Sequence, residues 1–122
     1  MTKHIFFLRH FETKNNVNGI LNGQSLEEPI SAGHCIEKCF PFDIIYCSTA
    51  LRCRQTVEWI EGHNKIFFSE QLLERNLGLL EGHSRIEMQK QYPELFDKNR
   101  LNVFATPPEG ESYNEFHVRA SK

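Results

Sequence analysis

Long apolar runs are missing from this sequence. Met1-Thr2-Lys3-His4 leads into only Ile5-Phe6-Phe7-Leu8, which is too short for a secretory h-region or a membrane span. A basic excess is missing as well. The formal net charge is −2, whereas proteins that grip nucleic acid usually carry a positive patch or stripe. That argues against general nucleic-acid binding and leaves room for a local basic pocket around a small anion. No C-x-x-C pair occurs among the four cysteines Cys35, Cys39, Cys47 and Cys53. With no leader ahead of them they read as reduced thiols of a soluble, cytoplasmic protein. Cys35 and Cys39 stand four apart on an expected helix, a spacing open to metal ligation, but small buried hydrophobes are the preferred reading. Repeats, low-complexity tracts and long linkers are also absent. What is present is an ordinary globular composition over 122 residues, 39% hydrophobic and 25% charged. This predicts one domain, 1–122, with a small core.

The apolar pattern predicts alternating strands and helices. Ile5-Phe6-Phe7-Leu8 reads as a strand buried on both faces, and Asp43–Cys47 and Lys65–Phe68 read the same way. Helices are expected over Gly33–Cys39 and Leu51–Glu61. Ser84 with Glu87, and Ser112 with Glu115, have capping-box spacing and should open two more. This order predicts a three-layer α/β/α domain around a mostly parallel sheet. The last helix runs into Ala120-Ser121-Lys122 with no glycine cap and no strand after it. The expectation is a C-terminally incomplete domain.

Three segments carry candidate chemistry. Arg9-His10 directly follows the first expected strand, and open α/β sheets bind ligands at the carboxyl ends of their strands. A guanidinium can grip two phosphoryl oxygens while an imidazole attacks phosphorus. Alone, such a pair is a weak signal. Cys47-Ser48-Thr49-Ala50-Leu51-Arg52-Cys53-Arg54-Gln55-Thr56 also follows a strand and opens a helix. Ser48 and Thr49 are candidate caps there, Arg52 can face the same anion, and Arg54 falls on a solvated face. In Leu72-Leu73-Glu74-Arg75-Asn76-Leu77-Gly78-Leu79-Leu80-Glu81-Gly82, Glu74 is a general-acid candidate if burial raises its pKa.

Together these segments resemble the histidine phosphatase superfamily, the phosphoglycerate mutase-like family. Arg9-His10 is similar to its R-H-G motif, with Glu12 and Asn16 following at matching spacing. Ser48–Thr56 resembles S-x-L-x-R-A-x-Q-T, and Leu73-Glu74 with Gly78 and Glu81-Gly82 resembles L-x-E-x-x-x-G-x-x-E-G. Pro107-Pro108-Glu109-Gly110-Glu111-Ser112 is similar to P-P-G-G-E-S. The resemblance implies that His10 is the nucleophile, that Arg9 and Arg52 bind phosphate, and that Glu74 is the acid and base. It implies Asn16, Gly23 and Gln24 as substrate-binding residues. It implies no metal or organic cofactor.

Two departures stand out. Phe11 occupies the position of the motif glycine, where backbone passes close to phosphate. The resemblance also calls for a second catalytic histidine on a late strand that this sequence does not contain; His117 lies in an expected helix, His63 and His83 in turns, and His4 and His34 read as solvated. Without that strand, an apolar sheet edge would be open to pairing with another copy. Gly82–Pro107 is compact, with Arg85, Lys90, Lys98 and Arg100 as its basic residues. This favours a phosphatase of small phosphorylated metabolites, impaired in a shortened chain. The alternatives are a cofactor-dependent phosphoglycerate mutase-type enzyme and a catalytically weak phosphate-binding or interaction domain degraded from such an enzyme.

Overall fold

Thr13 begins the first regular element. Its hydroxyl accepts from the Asn16 backbone while Asn16 Oδ1 reaches back to Thr13 N, closing a capping box on α1, Lys14–Asn18. Gly19 ends the helix in the left-handed region, at φ +68°. The computed structural model describes residues 1–24, 27–36, 42–60 and 65–122. Two of the three strands expected from the apolar runs form. β1, Ile45–Ser48, pairs in parallel with β2, Ile66–Ser69, in the register Ile45–Ile66 to Ser48–Ser69. Between them runs α2, Leu51–Val57, which buries Arg52, Thr56 and Val57. Strand, helix and parallel strand make the α/β unit that the sequence predicts.

The third expected strand does not form. Ile5-Phe6-Phe7-Leu8 makes no ladder, and its side chains are exposed. Apolar character calls for burial, but a strand also needs a hydrogen-bonding neighbour, and none of the described segments supplies one. The helix expected over Gly33–Cys39 also differs. Gly33–Ile36 is not helical, and Ile36 instead bridges Ile60 in parallel, donating its N–H to Trp59 O at 2.8 Å. That bridge takes Ile60 out of α2, which therefore ends before Glu61. Residues 37–41, with Cys39, and His63 lie outside the described residues. Cys35 is exposed rather than buried, whereas Cys47 is buried.

The C-terminal part begins with α3, Arg85–Gln91. Ser84 is its N-cap residue, but its side chain makes no cap bond, so the capping box expected with Glu87 is not formed. Ser84 is held instead by an antiparallel bridge to Ile20. A hairpin absent from the sequence reading follows: β3, Phe96–Asp97, against β4, Arg100–Leu101. Last comes α4, Tyr113–Ala120, whose Ser112–Glu115 capping box forms as expected.

Among the described residues, two cores hold these elements. Cys47, Val57 and Ile60 form one beneath the parallel pair, flanked by Ile45, Ile66 and Cys53. Burial pushes the Cys47 thiol up to about 11, so it behaves as a small hydrophobe. Leu21, Leu77, Leu80, Met88 and Leu95 form the other, around the fully buried Leu80. Each fully buried leucine contributes about 1.5–3 kcal/mol. Among the described residues, no helix is long and apolar enough to cross a membrane.

Candidate active site

α2 anchors one wall of the site through two adjacent polar residues. Thr56 Oγ1 donates to Arg52 O at 2.7 Å and accepts from Phe11 N at 2.9 Å. Gln55 Oε1 accepts from Ile30 N at 2.9 Å. The loop carrying His10 is thereby tied to the helix carrying Arg52. Sequence reasoning gave Thr56 no role, since a helical threonine looks the same whether or not a loop docks on it.

His10 is half-buried. Its Nδ1 donates to the Phe11 carbonyl at 2.6 Å, which leaves the Nε2 lone pair free. Burial does most to lower its pKa from the ordinary 6.5. The Phe11 carbonyl opposes this, Arg52 and then Arg9 lower the pKa further, and Glu74 raises it. A neutral imidazole with a bare Nε2 at neutral pH is the form a nucleophile needs. Phe11 itself is not among the positive-φ residues, and its ring packs against His34 at a centroid distance of 4.7 Å. It does not line the cleft.

Arg52 sits in the first turn of α2 and is only 3% exposed. Its Nη2 donates to Gly23 O at 3.2 Å. Its Nε and Nη1 are buried without a hydrogen-bond partner among the described residues. A buried cation left in this way is costly unless an anion meets it. Ala50, not Ser48 or Thr49, is the N-cap of α2, and Ser48 Oγ accepts from Ala50 N at 3.3 Å. Arg54 is solvated, 3.7 Å from Glu27.

A cleft of about 440 Å³ brings five expected residues together: Arg9, His10, Asn16, Arg52 and Glu74. Glu74 is exposed, so burial, the condition attached to its acid role, is not met. Asn16 Oδ1 is taken up by the α1 cap, which leaves its NH2 for a ligand. Gly23 and Gln24 do not line the cleft; they brace it. Gly23, at φ +155°, accepts from Arg52 and packs so closely on the Glu81 carboxylate that a Cβ would clash. Gln24 Nε2 donates to Glu74 O at 3.1 Å, and its backbone N–H to Glu81 Oε1 at 2.9 Å. A larger and shallower groove of about 660 Å³, between Glu70–Gln71 and α4, holds none of these residues. The chemistry favours the smaller cleft.

Several cleft residues carry no site role in the sequence reading: Asn22, Arg75, Arg85, Tyr113 and Phe116. Arg75 is 7% exposed and points its donors at carbonyls: Nε at Glu111 O (3.0 Å), Nη1 at Val103 O (2.8 Å) and Nη2 at Ala105 O (2.5 Å). Next to it, Arg119 pairs with the Glu111 carboxylate at 2.7 and 3.0 Å. Arg119 also donates to the carbonyls of Glu70, Gln71, Leu73 and Glu74. Its guanidinium holds the Glu111 carboxyl below the usual carboxylate range. These contacts set the Glu74 loop on α4. Among the described residues no second histidine lines the cleft.

The sequence profile of the histidine phosphatase superfamily, branch 1, matches residues 5–122. This chain belongs to that superfamily. It is 30% identical to a broad-specificity phosphatase of Saccharomyces cerevisiae, over 94% of this chain and 54% of the relative. It is similar to the structure of a phosphoglycerate mutase from Thermus thermophilus, with TM-score 0.66 and 28% identity, covering 91% of this chain and 64% of that one. An alpha-ribazole phosphatase from Shigella flexneri has TM-score 0.74 at 23% identity, covering 92% and 60%, and shows the likeness of fold. The histidine phosphatase fold is thus present as a mixed α/β, phosphoglycerate mutase-like arrangement. The chain spans about half the length of the curated relatives it matches.

Proposed function

We propose that this chain binds small phosphomonoesters in the His10 cleft and hydrolyses them through a phosphohistidine. The observation that carries this reading is Arg52: a buried guanidinium with two unpartnered donors, lining the cleft beside a His10 with a free Nε2. In the first step Nε2 attacks phosphorus, the phosphorus–oxygen ester bond breaks, and Glu74 protonates the leaving oxygen. In the second, Glu74 takes a proton from water as its oxygen attacks phosphorus, the phosphorus–nitrogen bond breaks, and phosphate leaves. Arg9 and Arg52 bind the phosphoryl oxygens, where electrostatic stabilisation matters most. Asn16 meets the substrate at the entrance, while Gly23 and Gln24 act by holding Arg52 and the Glu74 loop. The remaining parts of the reading are a cytoplasmic location, a single domain over residues 1–122, and self-association at the exposed Ile5–Leu8 run.

The test is direct. Incubated with phosphoramidate or phenyl phosphate, the protein should acquire an acid-labile, base-stable phosphoryl group that is lost in His10→Ala. Equal labelling of His10→Ala would sink the assignment. The exposed position of Glu74 and the lack of a strand ladder before His10 favour a second reading, phosphate binding without efficient turnover. Saturable orthophosphate binding with no labelled His10 would select it.

A further inference from the structure

The cleft is larger than a phosphoryl group needs, and its walls differ in character. Arg9, His10 and Arg52 stand for the phosphoryl end, whereas Leu101, Val103, Tyr113 and Phe116 contribute hydrocarbon and aromatic surface. Tyr113 is the first residue of α4, immediately after the Ser112 capping box, so its backbone is held. Its ring is braced by Phe104 at a centroid distance of 4.9 Å and by the near-parallel His117 ring at 6.0 Å. It is nevertheless 39% exposed, and its hydroxyl makes no hydrogen bond among the described residues. A braced, part-exposed aromatic ring on the wall of an anion cleft is a stacking platform.

We propose that Tyr113 is a specificity-determining residue and that the preferred substrates are phosphomonoesters with an aromatic or heteroaromatic leaving group. This rests on the phosphate-site reading above. In that reading the phosphoryl group lies at Arg52 and His10, and the leaving group extends toward Tyr113. A planar group stacks there, and a polar atom on it can meet the free hydroxyl. A short, fully hydroxylated leaving group gains nothing from this wall.

Calorimetry with non-hydrolysable phosphonates separates the two claims. Phenylphosphonate should bind about three- to tenfold more tightly than methylphosphonate, the range expected of one aromatic pair. Tyr113→Leu should erase that gap with methylphosphonate affinity unchanged, and Tyr113→Phe, which keeps the ring and the fold, should retain it. Equal binding of the two phosphonates by the native chain, or a gap that survives in Tyr113→Leu, overturns the proposal while leaving the phosphate site standing. Methylphosphonate binding that is absent, or indifferent to Arg52→Met, overturns the underlying reading and this proposal with it.

Discussion

Arg52 and Arg75 are buried guanidiniums on two walls of one cleft, 3% and 7% exposed, and they are handled in opposite ways. Arg75 is saturated: three backbone carbonyls from Val103, Ala105 and Glu111 receive its donors. Arg52 has one carbonyl, that of Gly23, and two donors left over. The same side chain is a structural staple in one place and an unfinished anion site in the other. What separates them is the supply of acceptors. Irregular backbone around Val103–Glu111 exposes carbonyls that need donors, whereas the α2 turn that carries Arg52 uses its carbonyls within the helix.

Removing each cation in turn tests the difference between them. Arg75→Met should cost about 3 kcal/mol of folding stability, because several buried carbonyls lose their donors at roughly 1–3 kcal/mol each. Chemical denaturation reads this, and a loss below about 0.5 kcal/mol would put Arg75 among ordinary surface residues. Arg52→Met should behave in the reverse way. Orthophosphate affinity should fall by about thirtyfold or more, as expected for a lost charge-assisted donor pair, while stability holds or rises. A large drop in stability with phosphate binding intact would erase the distinction between the two arginines.

Titration of His10 sharpens the same contrast. Its pKa is lowered from 6.5, first by burial and then, against the Phe11 carbonyl, by Arg52 and Arg9. The neutral, nucleophilic form is therefore present at pH 6.5, and phosphoryl labelling should decline only on the acid side of that value. Loss of a nearby cation favours the imidazolium, so Arg52→Met should move the His10 midpoint upward. Arg75→Met should leave it in place. Histidine ring proton shifts followed by NMR against pH measure both, and a downward move in Arg52→Met would contradict the arrangement.

The smallest effect lies in the turn that Arg75 clamps. Glu109 adopts φ +62°, where the resembling motif has glycine. Glu109→Gly should stabilise the chain by roughly 1 kcal/mol by relieving left-handed strain, partly offset by greater freedom of the unfolded chain. Thermal unfolding measures it, and a lower midpoint would mean that the Glu109 side chain contributes a contact of its own.

Features set by residues close in sequence can be read from it, and features set by distant partners cannot. Arg52 is readable from its place in the first turn after β1, and Arg9, His10 and Glu74 from motifs that resemble those of the family; all four line the cleft. The Ser112 cap was readable and formed, whereas Ser84, with the same spacing, was drawn into a bridge to Ile20. Gly23 and Gln24, expected to touch substrate, brace the cleft instead, and their partners Arg52, Glu74 and Glu81 are distant in sequence.

The sequence alone carries the parallel β1–α2–β2 unit, through apolar runs of short range, and the residues of the charged end of the cleft, through motifs that resemble those of the family. It is the tertiary structure that leaves Ile5–Leu8 without a ladder, spends the donors of Arg75 on carbonyls while two of Arg52's stay unpartnered, and brings Tyr113 to the cleft wall. Each of these depends on whether a partner from another part of the chain arrives. Local spacing carries no record of that.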